Sequence, residues 1–552
     1  MKSQINFSSV SGWIVLFLSV LSNYSLFAQE LVWARDSKSC SYAQIMSMCT
    51  DQSANVYVGG YYTDSLVVGN VKLIGSGINS GFILKLDPNG VPLWGLNFKA
   101  PGGSQNISSL SLTNNGAIIF SGTFSSPSLT VGANVLHGVQ GTASFFVGKV
   151  LPNGIFSWVK HGTGIWAHAF SKCVNNSIYV SNVYNGAATL TLGTIPLSGF
   201  GGMDACVIKY DTLGNQLWYK TFGGPNDEYV TDLAIASNGD CMLAGNSTSS
   251  LIACDATTLN LASVSNSLIP FVVKYTGNGT YSGSLILPSL KHLSRLRIAT
   301  DGSGYSVIGG QMAAGVSQIG SNSYSTNVPT GFITRINPQL IPVWTNTTSA
   351  FGSASVKDIQ CDAMGRVYAC GLFEGDSLGI GNQYLKNDST LSSVFFSIFD
   401  PSGTLVKSKL IGGKYYESQA NLCFNDTRYY IATAFQGKFS MIESTQISNP
   451  STLLLSGKFI VAAFQSPFLQ LKSLTALTNP LFFPNPCHSS LKLQHSSGFD
   501  KVLMLDEKGR CILQKSIEAN ETELDISALP SGLFILHLSG KNKVFTGKVV
   551  KE

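Results

Sequence analysis

The chain has 552 residues, of which 44% are hydrophobic and only 12% charged, and 56 are glycine. Ordinary soluble proteins carry about 25% charged residues and about 7% glycine; a chain this apolar is not disordered, and the lack of Gly-X-Y or heptad patterning excludes collagen and coiled coils. The formal net charge of +5, from 35 Lys+Arg against 30 Asp+Glu without a basic stripe, excludes a nucleic-acid partner, whose phosphates demand such a stripe.

In chain order, Lys2 is the only charge before Glu30, and Trp13 to Leu21 form an apolar run. That run is shorter than the roughly 20 residues needed to span a bilayer. The pattern predicts a signal peptide over residues 1–28, cut between Ala28 and Gln29, although Leu26 stands where a small residue is usual. No later segment is long and apolar enough to cross a membrane, so the mature chain is expected without a transmembrane segment. The 11 cysteines are scattered, with no CxxC pair and no Cys/His ligand spacing. Few disulfides are expected, and Cys206, Cys241 and Cys370, lying in predicted strands, read as small buried hydrophobes.

Beyond the leader the chain repeats. A strand of the form Phe-hydrophobic-x-Lys-hydrophobic begins at Phe82, Phe146, Cys206, Phe271, Phe332, Phe395 and Phe459. A second strand, ending mostly in glycine, recurs at 55–60, 117–122, 177–182, 240–245, 305–310, 366–371 and 428–433. Both share a period of about 62 residues, the sign of a repeat architecture. Each repeat reads as four strands. The first and second are joined by tight turns such as Asn114-Asn115-Gly116 and Ser237-Asn238-Gly239, which supply positive φ. The third and fourth are joined by turns such as Asp87-Pro88-Asn89-Gly90. Trp94, Trp158, Trp218 and Trp344 hold one position of the fourth strand, with Tyr281 and Val406 in their place in two repeats. Residues 31–34 form a fourth strand with no preceding repeat, and the last repeat lacks one. Letting the first complete the last removes two exposed sheet edges. The prediction is an all-β, seven-bladed β-propeller of four-stranded blades over residues 29–465, closed by the N-terminal strand.

This hairpin-turn-strand pattern resembles the SBBP-type β-propeller repeat of exported bacterial proteins. The family's turn reads Asp-x-x-Gly-Asn, of which Asp51, Asp301 and Asp362 keep only parts. The resemblance implies the fold far more than any activity.

Residues 466–478 lack the repeat pattern and read as a linker. Charge density then about doubles from Asn479 onward, and about seven short strands are expected in a small β-sandwich. Its ordered motifs are Phe483-Pro484-Asn485-Pro486, Asp506-x-x-Gly509-Arg510, Leu529-Pro530-Ser531-Gly532 and a final segment carrying Lys548 and Lys551. This set resembles the type A C-terminal sorting domain of the type IX secretion system. The resemblance implies that residues 479–552 engage the type IX machinery, and that the remainder ends on the outer-membrane surface or is secreted.

No catalytic constellation stands out. The seven histidines lack metal spacing, His161 and His168 being the nearest pair, so no metal or cofactor is expected. Neither a Gly-x-Ser-x-Gly elbow nor a His-Glu-x-x-His pair occurs. Asp227-Glu228 and Glu374-x-Asp376 read as solvated loops rather than the paired carboxylates of glycoside hydrolysis. Exposed aromatics in variable loops, Tyr61-Tyr62, Trp166 and Tyr415-Tyr416, are the candidate binding residues. The expected function is a non-catalytic binding or adhesion module; the alternative is an enzyme acting on extracellular polysaccharide at the propeller axis, marked by carboxylates and histidine at its mouth.

Overall fold

Short apolar runs separated by glycine- and asparagine-rich turns leave the backbone little choice but antiparallel pairing, because each turn returns the chain beside the strand it has just left. The computed structural model describes residues 31–552 except 39–40, 139–141, 166–168, 187–189, 193–194, 262–267, 291–293, 351, 388–390, 412–415, 437–438, 443–444, 449–456, 468–480, 484–486, 495–499, 507–508, 518–520 and 541–543. Every regular element among the described residues is a strand. The chain divides into two compact parts, Met1–Gln465 and Ser466–Glu552. The signal-cleavage residues Ala28 and Gln29 lie outside the described residues.

In the first repeat Ala43–Thr50, Val56–Tyr62, Ser80–Leu86 and Pro92–Phe98 pair antiparallel in that order. The order recurs in the repeats that begin at Gln105–Leu112, Phe170–Val174, Glu228–Ile235, Arg297–Thr300 and Ala354–Cys361. Four strands per repeat understates the module. A short hairpin stands between the second and third strands, as in Ser65–Val68 with Val71–Ile74 and Ser128–Val131 with Asn134–His137. Its four-residue strands are half exposed, too short for alternation to mark them. In the last repeat Asn421–Phe424, Arg428–Gln436 and Gly457–Gln465 are followed across the sheet by Leu31–Asp36 from the other end of the chain. The first strand of each repeat packs on that of the next, and Ala43–Thr50 packs on both Gln105–Leu112 and Asn421–Phe424.

The tryptophans join neighbouring repeats. Trp33 Nε1 donates to Pro88 O at 2.9 Å, Trp94 to Pro152 O at 3.2 Å, Trp158 to Thr212 O at 3.1 Å, Trp218 to Gly277 O at 3.1 Å and Trp344 to Pro401 O at 3.0 Å. Each acceptor lies in the third-to-fourth turn of the following repeat. The repeated lysines converge on the same oxygens: Lys85 Nζ on Pro152 O at 3.2 Å, Lys149 on Thr212 O at 3.2 Å and Lys209 on Gly277 O at 2.8 Å. Where Trp33 reaches Pro88, Arg428 supplies the second donor. Two residues after each acceptor stands a glycine of positive φ: Gly90, Gly154, Gly214, Gly279 and Gly403. A Cβ there would come within 2.7 Å of the Trp33 ring at Gly90 and within 2.7 Å of Trp344 at Gly403. The turn glycine thus meets two demands, left-handed backbone and an indole lying on it.

The two exceptions are instructive. Strand register places Gly283, not Tyr281, opposite Lys274, and Lys407, not Val406, opposite Ile398, which corrects both assumed replacements. Gly283 faces a turn whose glycine is replaced by Leu340, at φ 63 and 5% exposed. A Cβ at Gly283 would lie 3.7 Å from Leu340 Cδ1, so the leucine occupies the space an indole takes elsewhere. Lys407 belongs to the sixth repeat, and the seventh has no third-to-fourth turn to meet, because its fourth strand is Leu31–Asp36. Register also shifts the last third strand by one residue: Ile460 pairs with Thr433 as Phe82 does with Gly60. A one-residue shift changes face, and Phe459 stacks on Phe82 of the first repeat at 5.8 Å.

In the second part, Leu481–Phe483, Ser490–Gln494 and Glu521–Asp525 form one sheet, and Cys511–Ser516, Lys501–Leu505, Gly532–Ser539 and Val544–Lys551 another. Leu491, Leu493, Met504, Leu524, Leu536 and Val549 are among the buried residues of its core.

Exchanging one tryptophan–glycine pair for the natural glycine–leucine pair tests the shared space. Trp344→Gly and Gly403→Leu should each cost about 2–3 kcal/mol, and the double variant at least about 1 kcal/mol less than their sum. Thermal unfolding of the four proteins measures this; simple additivity would show that the two side chains do not compete.

Candidate functional site

The inner strand of several repeats carries the same irregularity. Pairing slips between Ile45 and Ser47, Ile107 and Ser109, Val230 and Asp232, and Val356 and Asp358. Such a bulge adds a residue to one strand and re-aims its side chains. The residue after the bulge ties the inner strand to its neighbour. Leu110 N donates to Ser47 Oγ at 3.0 Å, Ile298 N to Asp232 Oδ2 at 3.0 Å and Leu422 N to Asp358 Oδ2 at 2.8 Å, while Ser109 Oγ donates to Ser171 O at 2.8 Å. Asn421 Nδ2 donates to Ile45 O at 3.0 Å, linking the last repeat to the first.

The bulged residues Met46 and Lys357 line a cavity of about 580 Å³ at the start of the inner strands. Its walls differ in character. The fifth and sixth repeats contribute Arg295, Arg297 and Lys357; the first and second contribute Gln44, Tyr61 and Asn106, with Asn79, Ser104 and Gln105 beside them. Tyr61 Oη donates to Gln44 Oε1 at 2.5 Å, and its ring stacks on Tyr42 with centroids 5.9 Å apart. Gln105 is 1% exposed; its Nε2 donates to Phe98 O at 3.1 Å, and its Oε1 has no partner among the described residues.

The cations disfavour one another. Burial, then the Arg297 and Arg295 charges, hold the Lys357 ammonium below its ordinary value. Arg295 reaches solvent yet is walled by protein, and this desolvation with Arg297 beside it lowers its guanidinium to about 10. No carboxylate or imidazole is among the described residues that line the cavity. The carboxylates of the inner strands are engaged in bonds to main-chain amides: Asp232 holds Leu233 N and Ile298 N, and Asp358 holds Ile359 N and Leu422 N. Burial raises Asp358 to about 6 against the opposing pull of Arg297, the Leu422 amide and Lys172.

Of the predicted binding aromatics, Tyr61 lines this cavity, but from the strand Val56–Tyr62 and not from a loop. Tyr62 points to the other face and is fully buried, its hydroxyl donating to Asn97 Oδ1 at 3.0 Å. Trp166 and Tyr415 lie outside the described residues, as does His168. Arg295, Lys357 and Gln419 went unnoticed in the sequence. Register places Met46 and Lys357 in one column of the repeat and Arg295 and Gln419 one residue before it, so the signal that could have found them is two adjacent columns of the first strand read across the repeats.

Asp227-Glu228 is not a solvated loop. Glu228 begins the strand Glu228–Ile235 and is fully buried, accepting from Gly224 N at 2.6 Å and Ser247 Oγ at 2.8 Å. Burial pushes its carboxyl up to about 7, opposed by bonds from Ser249, Ser247 and Gly224 and reinforced by Asp204. Asp204, also fully buried and raised by burial, accepts from Phe200 N at 2.6 Å. The pair is walled into the joint between the third and fourth repeats. Glu374 and Asp376 are exposed. Among the described residues no cluster of three or more His, Cys, Asp or Glu could hold a metal ion.

In the second part, Asp506 accepts from Arg510 N at 2.9 Å and Arg510 Nε at 2.8 Å around Gly509, whose φ is 78. Leu529 N closes a turn onto Ile526 O at 3.0 Å, leading through Pro530 and Ser531 to Gly532. Gly532 pairs with Lys551 and Ile535 with Lys548. Pro484, Asn485 and Pro486 lie outside the described residues. Cys487 is buried and Cys511 exposed, both as free thiols.

Residues 481–552 match the family described as the secretion system C-terminal sorting domain. A tail of this family directs its chain through the type IX secretion system to the cell surface or into the medium. No helix among the described residues is long and apolar enough to cross a membrane. No curated protein matches the chain. Among solved structures, the β-propeller domain of the Trilobed protease from Pyrococcus furiosus shares 8% identity over 74% of this chain and 96% of that one, with a TM-score of 0.36. The phage phi92 endosialidase shares 8% over 94% and 87%, at 0.35. PorZ, a surface component of the type-IX secretion system of Porphyromonas gingivalis, shares 11% over 94% and 100%, at 0.17. Likeness of this size says nothing of what the chain binds.

The raised Glu228 value makes stability fall with pH. The folded state holds the proton more tightly than the unfolded one, so this group's contribution is complete below its ordinary value of 4.5 and is lost as pH rises through about 7. The loss is about 3 kcal/mol. Glu228→Gln should flatten the melting temperature between pH 4.5 and pH 8 relative to the parent; parallel pH profiles would refute the assignment.

Proposed function

We propose that the chain is an exported, non-catalytic binding or adhesion module. In this reading residues 29–465 form a seven-bladed β-propeller of SBBP-type repeats, with Leu31–Asp36 as the fourth strand of the last blade. Residues 466–478 link it to the sorting domain at 479–552. The latch from Trp33 to the turn of the first repeat and the bond from Asn421 to Ile45 support a closed ring of seven, since each joins the two ends of the repeat array.

The observation that carries the function is the cavity at the inner strands. It offers amides, hydroxyls and cations around a volume suited to a small ligand, while the nearby carboxylates are spent on main-chain amides. A glycosidase of the two-carboxylate kind at this place would need two carboxyl groups facing one bond, one as acid and one as base or nucleophile. This wall chemistry supports the reading of binding without turnover.

The full chain incubated with a panel of polysaccharides and host-type glycans should retain a glycan and release no product. Product release would replace this reading with the polysaccharide-acting enzyme; neither retention nor product would leave a protein partner or a surface-layer role. For export, removal of residues 479–552 should leave the chain inside the outer membrane of a type IX-competent cell, as read by fractionation. Surface delivery of the truncated chain would show that the tail is dispensable.

A further inference from the structure

The cavity wall is charged on one side only, and nothing in the ring fold requires that. The bulge position it shares with its neighbours tolerates Met46, Ser108 and Thr231 as well as Lys357. A lysine at this position, beside two arginines from the adjacent repeat, places three like charges around one opening and disfavours the charged forms of Lys357 and Arg295. Such an arrangement lowers the stability of the empty protein and is relieved by an anion. Asp358 offsets part of the charge but already holds two main-chain amides.

The facing wall is neutral and rich in hydrogen-bonding groups: the Gln44 amide with Tyr61, Asn106, and the buried Gln105 whose Oε1 lacks a partner. Among the described lining residues only Met46 and Val356 are aliphatic, so they offer little to receive an apolar side chain. A volume of about 580 Å³ far exceeds a single inorganic ion, and planar amides with a tyrosine ring suit a hydroxyl-rich ligand.

We propose that the cavity takes an acidic saccharide, its carboxylate or sulfate seated on Arg295, Arg297 and Lys357 and its hydroxyls on Gln44, Tyr61 and Asn106. This rests on the reading of the cavity as a binding site and adds the ligand class to it. Both arginines can offer paired N–H groups to a planar carboxylate or a sulfate.

Calorimetric titration of the full chain with four probes tests the proposal: a galacturonate hexasaccharide, a chondroitin sulfate hexasaccharide, cellohexaose and hexaglutamate. At least one acidic saccharide should bind, more weakly as salt rises, and the stronger of the two identifies the anionic group. Lys357→Gln and Arg295→Gln should each weaken it by about tenfold or more, while the melting temperature of the empty protein does not fall, because each removes one of the crowded charges. Arg297 is left intact because it faces Asp358. Cellohexaose binding equal to the acidic probes, indifferent to both variants, would overturn the ligand class and leave a glycan-binding module. Hexaglutamate binding as tightly as the saccharides would overturn the saccharide assignment. Cleavage of an acidic probe would overturn the non-catalytic reading and leave the ligand class standing. No binding by any probe would overturn the ligand class and the reading of the cavity as a glycan site together.

Discussion

An indole lying on a left-handed glycine turn is the contact from which the first part of the molecule is built. The turn needs positive φ, only glycine adopts it without cost, and the bare glycine leaves a flat surface on which Trp33, Trp94, Trp158, Trp218 and Trp344 rest. The indole N–H and a lysine then bond one carbonyl in the same turn. Hydrophobic cover, a turn carbonyl satisfied twice and a fixed distance between repeats therefore arise at one place. The pair Gly283 and Leu340 follows the same spatial rule with the volumes exchanged, at the cost of a leucine in a strained region.

That contact sets the periphery; the centre is set by bulges. A side chain just past each bulge bonds the main chain of the next inner strand, so the strands are held edge to edge without sheet pairing between them. Because these bonds use the residue after the bulge, the bulge residue is free to vary: Thr231 still bonds Leu296 O at 2.7 Å, whereas Met46 and Lys357 line the cavity, where the repeated modules become distinct. A regular scaffold with variable positions at one opening is the arrangement in which binding usually resides.

The carboxylates show how burial, not sequence neighbourhood, decides a role. Asp227 and Glu228 are adjacent in the chain, yet Glu228 is enclosed with Asp204 between repeats while Asp227 accepts from Met203 N at 2.9 Å nearer the surface. Asp358 and Asp232 lie close to the cavity but serve as strand ties. Counting acidic residues along the chain could not separate these cases, since each depends on partners on other strands, 24 residues away for Asp227 and 64 for Asp358.

The sequence by itself determined the all-β class, the repeat period, the four main strands and turns of each module, though not its extra hairpin, and the nature of the C-terminal tail. These depend on local chemistry: alternation, turn glycines and ordered motifs within a few residues. Tertiary structure alone decided which residue stands opposite Lys274 and Ile398, which face Phe459 takes, and that the tryptophans reach into the next repeat. It also brought Arg295, Arg297 and Lys357 to one opening. Cross-repeat contact joins segments some sixty residues apart, and register turns on irregular pairing at the strand ends, as between Lys274 and Tyr275, where a single slip of one residue reverses every side chain.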